Sequence, residues 1–548
     1  MFEIRDNVLK SFSNTENEKD IVIPDGVKKI EHYCFSKDKS IRSVTMPDSV
    51  EEIGNYVFNR CTYLKSVRFS ENLKKIGSFA FDECLYLDNV VIPDSVNYIR
   101  ECAFQGCKRL KSVKLSKGLR FIDYYVFSDC EQLTEITLPE SVRGIGDSSF
   151  KHCLSLKRVV LNEGLEEICN EAFVNCDNLE PPVIPHTVKV ISHFCFDNRI
   201  VFSYADKNGF IVVGDNVLIA YSGTKNTVVI PDGVKHIADN AFDTEYLNRK
   251  TRLITSITFP DSVESVSKNA VSRTGWYKKL KEEFAVVGNG VLVKYSGKSD
   301  IPIVPDNVRV ISTDAFQLVC DTIKGIVFPQ GLEVIGYNAF RGFRSLEAVS
   351  FPDSVREISQ GAFFGCLSLK EVRFGKGIEI IGDKAFWFCS RECRVYLPHL
   401  PVSICELALA NVTLDIKINN RRCVIELNST WGLEMPFDFI YSPTAENFSE
   451  LPAAYKLPLS IAFYDKDETI LAYLKRNIKK AVKHLADCND TETLNDVLKT
   501  GFVRKSNIDD LIAYTEKCTQ TSGSPEFRMI LMKYKDEHIG YKKARFSI

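Results

Sequence analysis

Eight of the 18 cysteines in this chain keep a strict spacing, and cysteine is a residue type that does chemistry. Cys61, Cys84, Cys107, Cys130, Cys153 and Cys176 follow one another every 23 residues, and Cys366 and Cys389 keep the same step. A thiolate ligates zinc or attacks as a nucleophile, and two thiols can pair as a disulfide. Zinc needs close ligand pairs, and the sequence has no Cys-x2-Cys and no His-Glu-x-x-His. The nearest pairs, Cys102/Cys107 and Cys389/Cys393, each spend one member on the regular column. The eight histidines are scattered, with His152, His186 and His193 at unrelated repeat positions, so the repeat builds no Cys–His dyad. Glycine-rich phosphate loops and a Gly-x-Ser-x-Gly elbow are absent. The acid pairs Glu51-Glu52 and Glu166-Glu167 sit between apolar core positions and read as solvated edges. The expectation is an enzyme-free chain with no catalytic residue, metal site, cofactor or small-molecule substrate. A free Cys is a compact, readily buried hydrophobe, so the column reads as packing between coils stacked about 4.8 Å apart.

A longer pattern must position these thiols. Phe recurs with the same step at Phe35, Phe58, Phe81, Phe104, Phe127, Phe150, Phe173 and Phe196. So regular a repeat makes a solenoid, because each unit contacts only its neighbours and stacking buries one continuous core. In a unit such as Leu64-x-x-Val67-x-Phe69, alternation marks a short strand. Pro93-Asp94-Ser95 then ends the strand of the next unit, since Pro lacks the N–H that a ladder needs. Val96-x-x-Ile99 and Ala103-Phe104 supply a second inward set, spaced for a short extended piece and a helical turn. Pro47, Pro93, Pro139 and Pro185 alternate with Ser70, Ser116 and Asn162, which suggests a genetic unit of two coils.

The strand residues between the inward positions face outward. Lys65, Arg68, Lys111, Lys114, Lys157 and Arg158 would then form a basic stripe on one sheet face. Such a stripe offers a site for an acidic protein or a polyanion; alternatively it is a solvated face that guards against edge aggregation. Few aromatics interleave with it, which counts against nucleic acid.

The signature Ile-Pro-Asp-Ser-Val-x-x-Ile-x-x-x-Ala-Phe-x-x-Cys-x-x-Leu, at Ile92–Leu110 and echoed at Phe351–Leu369, resembles the BspA-type leucine-rich repeat family. The resemblance spans about residues 20 to 410. It implies a bacterial protein, a right-handed leucine-rich solenoid with strands along one face, and adhesion or partner binding. The fold class is thus an α/β repeat solenoid of short β-strands and turns, with β-hairpin insertions and a small C-terminal all-α domain.

Organisation follows from where the repeat breaks. Residues 1–20 read as a β cap, 21–200 as a first block of eight coils, and 201–230 as a hairpin insertion around Gly214-Asp215-Asn216. Residues 231–282 form a second block, 283–304 a second hairpin, and 305–411 a third block. Residues 412–465 read as closing strands and a Pro-containing connector with Pro436, Pro443, Pro452 and Pro458. Residues 466–548 read as a helical domain, weakly similar to ankyrin-like pairs. There Ile470, Leu474, Ile478, Val482 and Leu485 share a helix face, Thr491 caps a helix, Ser506 and Asp509 form a capping box, and Ser524-Pro525 opens the last helix.

The net charge of -2 points to neither nucleic acid nor an anionic membrane. No stretch approaches the roughly 18 apolar residues of a membrane span, and Met1–Asp6 has no signal-peptide pattern. With many unpaired cysteines, the expected place is the cytoplasm, the alternative being the cell surface or release by a non-classical route. The expected function is a non-enzymatic scaffold that binds a protein partner on the strand-lined face. One alternative is a sensor whose basic C-terminal helical domain, ending in Tyr541–Ile548, carries the activity; another is an adhesin-like binder.

Overall fold

The computed structural model describes residues 1–192, 194–243, 254–267, 269–405, 407–427, 437–519 and 525–539. The chain divides into two compact units, Met1–Leu280 and Lys281–Ile548.

In the first unit each of the first seven coils contributes two short strands to two sets of parallel pairings, and, among the described residues, the eighth contributes Val190–Ile191 alone. One ladder takes the Leu-x-x-Val stretch, as in Ser43–Thr45, Ser66–Arg68, Asn89–Val91 and Ser112–Lys114. The other takes the Val-x-x-Ile stretch, as in Glu52–Ile53, Lys75–Ile76 and Tyr98–Ile99. Register follows the repeat: Ser43 pairs Ser66, Val90 pairs Val113, and Ile53 pairs Ile76. A one-residue slip would turn every Val and Ile outward, so burial fixes this register.

The Ala-Phe segment is a turn, not the helical turn that its spacing suggests. The residues two before and two after each Phe from Phe35 to Phe173 are left-handed, for example Tyr56 and Arg60 (φ 59° and 59°) or Phe79 and Glu83 (φ 57° and 55°). Left-handed residues on both sides interrupt a right-handed helix. They also aim every Phe inward. Phe58, Phe81, Phe104, Phe127, Phe150 and Phe173 are 0% exposed. Their rings stack along the axis with centroids 5.1–5.6 Å apart. Each column Cys donates its thiol proton to the carbonyl of the Phe one coil earlier: Cys84 to Phe58 at 3.2 Å, Cys107 to Phe81 at 3.2 Å, Cys153 to Phe127 at 3.3 Å. The two-coil alternation is also physical. Ser95 and Ser141 of the Pro coils donate to the carbonyls of Leu73 and Leu119, whereas Ser116 of the intervening coil is buried and donates to Val96.

Three hairpins share one design. Phe2–Arg5 with Val8–Phe12, Phe210–Val213 with Val217–Tyr221, and Phe284–Val287 with Val291–Tyr295 each pair antiparallel with a bulge at the same place. The second strand of each then pairs in parallel with the next coil, through Leu9–Ile30, Leu218–Ile237 and Leu292–Ile311. Its terminal ring meets the next core Phe: Phe12 on Phe35 at 5.0 Å, Tyr221 on Phe242 at 6.1 Å, Tyr295 on Phe316 at 4.9 Å. Each hairpin therefore takes the place of a coil and opens a stack. The middle one stays within the first unit, where Asp215 N–H donates to Val188 O at 2.8 Å.

In the second unit the coils resume from Val310–Ile311 and end on the antiparallel strands Val412–Ile418 and Arg421–Leu427. The stretch read as a Pro-containing connector holds three helices, Phe437–Tyr441, Ala445–Glu450 and Ala453–Phe463. Pro452 stands at the N-cap of the third, a place that needs no N–H. The next helical run breaks at Asn477 into Glu468–Arg476 and Ile478–Asp487. Asp490, rather than Thr491, caps Thr491–Lys499 by accepting from Thr493 N–H at 3.0 Å. Lys505–Thr519 starts before Ser506, and its Asn507 side chain accepts from Arg504 N–H at 2.8 Å. Pro525–Tyr534 follows, and Ser524 lies outside the described residues. The closing strands and the first of these helices share one apolar core that includes Leu414, Ile425, Leu459, Phe463 and Ile470.

Candidate interaction surface

The three-residue ladder of the first unit displays three outward rows, and all six basic residues of the stripe are exposed on it. Arg68 stands on Ser66–Arg68 opposite Thr45, and Lys114 stands opposite Val91. Arg158 stands opposite Glu135. Lys65, Lys111 and Lys157 open successive alternate strands, tied into the ladder by backbone bonds from Lys65 to Arg42, from Lys111 to Asp88 and from Lys157 to Thr134. Alternate coils put neighbouring cations of one row roughly 10 Å apart.

The charges on this face are largely unmatched. Lys111 reaches Asp88 at 4.0 Å, but among the described residues Lys65, Arg68, Lys114, Lys157 and Arg158 have no carboxylate within 4 Å. The other ladder behaves differently. Glu51 is held by Lys28 at 3.4 Å and Lys74 at 3.0 Å, and Glu52 by Lys29 at 3.0 Å and Lys75 at 3.8 Å. The Lys74 hydrogen bond, with Lys28 behind it, holds the Glu51 carboxyl below its usual range. Glu51 and Glu52 are thus rungs of a charge ladder rather than merely solvated edges. Arg143 likewise reaches Glu166 at 3.8 Å.

Aromatic neighbours, which the strand pattern does not reveal, border the stripe. Arg42 lies over the Tyr63 ring at 4.6 Å and Arg109 over the Tyr86 ring at 4.7 Å. The Tyr63 and Tyr86 rings themselves are 5.2 Å apart. The readable signal is the position two residues after the column Cys, which runs Tyr63, Tyr86, Arg109. Exposed valines interleave as well: Val91 is 61% and Val183 85% exposed.

The groups with catalytic potential are otherwise engaged. Burial pushes the Cys61 and Cys176 thiols up to about 12, so they stay protonated donors and poor nucleophiles. His236 Nδ1 lies 2.8 Å from Ser265 Oγ, but its Nε2 is 3.9 Å from Asp215, beyond hydrogen-bond reach, and Lys235 occupies that carboxylate at 2.8 Å. A cavity of about 60 Å3 opens between Phe196, Val201 and Ile219, far below the size of a substrate pocket. Among the described residues no cluster of three metal-ligating side chains forms. Among them, too, no helix is long and apolar enough to cross a membrane. His193 and the basic segment Tyr541–Ile548 lie outside the described residues.

In the second unit the helices are fastened to the closing strands. Arg421 bonds both oxygens of Asp465 at 3.0 and 3.2 Å, donates to Ala462 O at 3.1 Å, and lies over the Tyr464 ring at 4.1 Å. Arg422 joins Asp415 and donates to Cys488 O at 2.8 Å.

Comparison with known proteins adds a family. The model of the BspA type leucine rich repeat region matches at residues 8–104, 74–202, 214–318 and 309–427. Among solved structures, a leucine-rich repeat protein from Bacteroides ovatus is 19% identical and aligns over 73% of this chain and 93% of its own, with a TM-score of 0.27. The T. pallidum leucine rich repeat protein is 24% identical over 35% of this chain and 83% of its own, with a TM-score of 0.27. A leucine rich cell surface protein from Faecalibacterium prausnitzii is 23% identical over 72% and 86%, with a TM-score of 0.23. No curated protein matches the chain.

Proposed function

The chain belongs to the BspA-type leucine-rich repeat family, and from that premise we propose that it is a non-enzymatic scaffold binding the acidic surface of a protein partner. The binding face is the strand-lined side of the first unit, centred on Lys65, Arg68, Lys111, Lys114, Lys157 and Arg158. One observation carries this reading. Five of the six cations have no carboxylate within 4 Å among the described residues, whereas Lys28, Lys29 and Lys74 on the other ladder are all paired. A sheet face on which cations outnumber the acids Asp88 and Glu135 between them is poised to steer and hold an opposite charge. Because the solenoid is already ordered, many weak contacts add up with little further cost in entropy.

The compartment proposed is the reducing cytoplasm, on the strength of the protonated, buried thiols; the alternative is the cell surface. An activity in the basic helical region has less support, because its helices are built into the closing of the solenoid through the Arg421–Asp465 pair and the Arg422 bond to Cys488 O. The test is affinity capture from both lysate and surface fractions, comparing wild type with Lys65→Glu/Arg68→Glu/Lys111→Glu/Lys114→Glu. An acidic protein held by wild type, lost on reversal and released by salt is expected. A partner retained equally by the variant refutes the strand face as its site.

A further inference from the structure

The turn side of the second unit departs from the repeat in one place. The position two residues after the core Phe is left-handed in three successive coils and reads Gly342, Gly365, Phe388 (φ 76°, 74° and 56°). Glycine suits that backbone; a phenylalanine there is uncommon. Phe388 is 52% exposed, its ring stacked on Trp387 at 4.6 Å and set edge-on to Phe364 at 5.6 Å. Gly342 N–H donates to Phe364 O and Gly365 N–H to Trp387 O, both at 2.8 Å, so the coils stay in register. No side chain stands at the two equivalent positions before Phe388. A Cβ on Gly342 would meet nothing within 4 Å, and one on Gly365 only the Gly342 Cα at 3.9 Å. The result is a bare floor that ends at an exposed aromatic wall.

Cations rim this floor. Arg341 lies over the Phe364 ring at 4.8 Å, and Arg344 is exposed. Neither has a carboxylate within 4 Å among the described residues. Leu367, two residues past Gly365, is 61% exposed. Apolar surface this exposed, beside core rings Phe363 and Phe386 that are 0% exposed, calls for an occupant. Aromatic rings favour a ring partner, and two unpaired guanidiniums favour carboxylates.

We propose that Phe364, Trp387 and Phe388, with Arg341 and Arg344, form a second binding site, which takes an acidic peptide segment carrying an aromatic side chain. The ring of the ligand packs on the Phe388–Trp387 wall over Gly365, and its carboxylates meet the two arginines. This site is independent of the strand-face reading.

The test uses the full chain in the Lys65→Glu/Arg68→Glu/Lys111→Glu/Lys114→Glu background, so that the strand face is silent. A fluorescein-labelled heptapeptide, Gly-Glu-Asp-Phe-Asp-Glu-Gly, is titrated by anisotropy, with the same peptide bearing Ala for Phe as control. The decisive variant is Phe388→Gly, because glycine already occupies this backbone position in the two preceding coils and keeps the fold. Saturable binding that falls about tenfold or more in Phe388→Gly, and falls again in Arg341→Gln/Arg344→Gln, is expected. The Ala peptide should bind no better than that variant. Absence of saturable binding, or equal affinity in Phe388→Gly, overturns the proposal. Tighter binding of a thymidine oligonucleotide or of a neutral oligosaccharide overturns the ligand class.

Discussion

Truncating Phe104 tests the stacking that holds the whole first unit. The ring is 0% exposed and lies between Phe81, at 5.1 Å and 3°, and Phe127, at 5.6 Å and 11°. Burying the side chain contributes about 1.5–3 kcal/mol. The two stacked pairs add about 0.5–1.5 kcal/mol each. Neighbouring backbone bonds, such as Phe104 N–H to Val126 O at 3.0 Å, limit collapse into the void. Phe104→Ala should therefore cost about 4–5 kcal/mol, at the upper end of aromatic truncations. Phe104→Leu fills most of the volume and loses the stacking, so about 1–3 kcal/mol is expected. Urea melts give the totals, and hydrogen exchange on peptides from residues 100–130 gives the location. Contacts in a solenoid are between neighbours, so protection should fall in the coils of Phe81 and Phe127 first. A cost below about 1.5 kcal/mol for Phe104→Ala, or protection lost evenly along the chain, would refute the single stacked core.

Two further outcomes follow from named groups. Burial, aided by Glu83, raises the Asp82 carboxyl to about 6, so the folded state binds that proton more tightly than the unfolded state does. Its charge is thus a liability that appears as pH rises through 6, and Asp82→Asn should raise Tm at pH 7.5, with the gain fading below pH 5; a gain independent of pH would be evidence against it. Arg421→Ala removes a guanidinium that is only 10% exposed, takes the bidentate donor from Asp465 and leaves Ala462 O with Asn419 alone at 3.3 Å. It should cost about 2–4 kcal/mol and open the Ala453–Phe463 helix to protease, whereas unchanged proteolysis would mean that packing alone fastens the helices.

The solenoid was legible because its determinants are local and repeated. Phe104 and Cys107 each recur at a fixed step, and one coil predicts the next. The Pro-Asp-Ser turn marked where each strand stops. The Ala-Phe segment misled because apolar spacing does not report the sign of φ, and the left-handed Tyr56 and Arg60 carry no glycine to announce it. Pro452 and Pro458 suggested a connector, yet Pro452 stands at the helix N-cap, where it costs nothing, and Pro458 is held inside Ala453–Phe463 despite the N–H it lacks. The core that Leu459 and Phe463 share with Leu414 and Ile425 of the closing strands draws that segment into a helix.

The stripe was legible for the same reason as the core: in a period-two strand the outward rows follow once the inward ones are known. Its bareness was not legible, because pairing depends on which residue stands one coil away. Lys29 and Lys65 look alike in sequence, yet Glu52 stands beside Lys29 in the next coil, while Lys65 has Arg42 and Asp88 on its two sides and touches no carboxylate among the described residues. Stacking turns a spacing of 23 residues into a contact, so the useful unit for reading charge here is the column and not the segment. Read by column, Tyr63, Tyr86 and Arg109 also come together, and Gly342, Gly365 and Phe388 become a floor and a wall. In a solenoid the repeat fixes the scaffold, and what distinguishes one coil from the next lies in the columns where successive coils depart from one another.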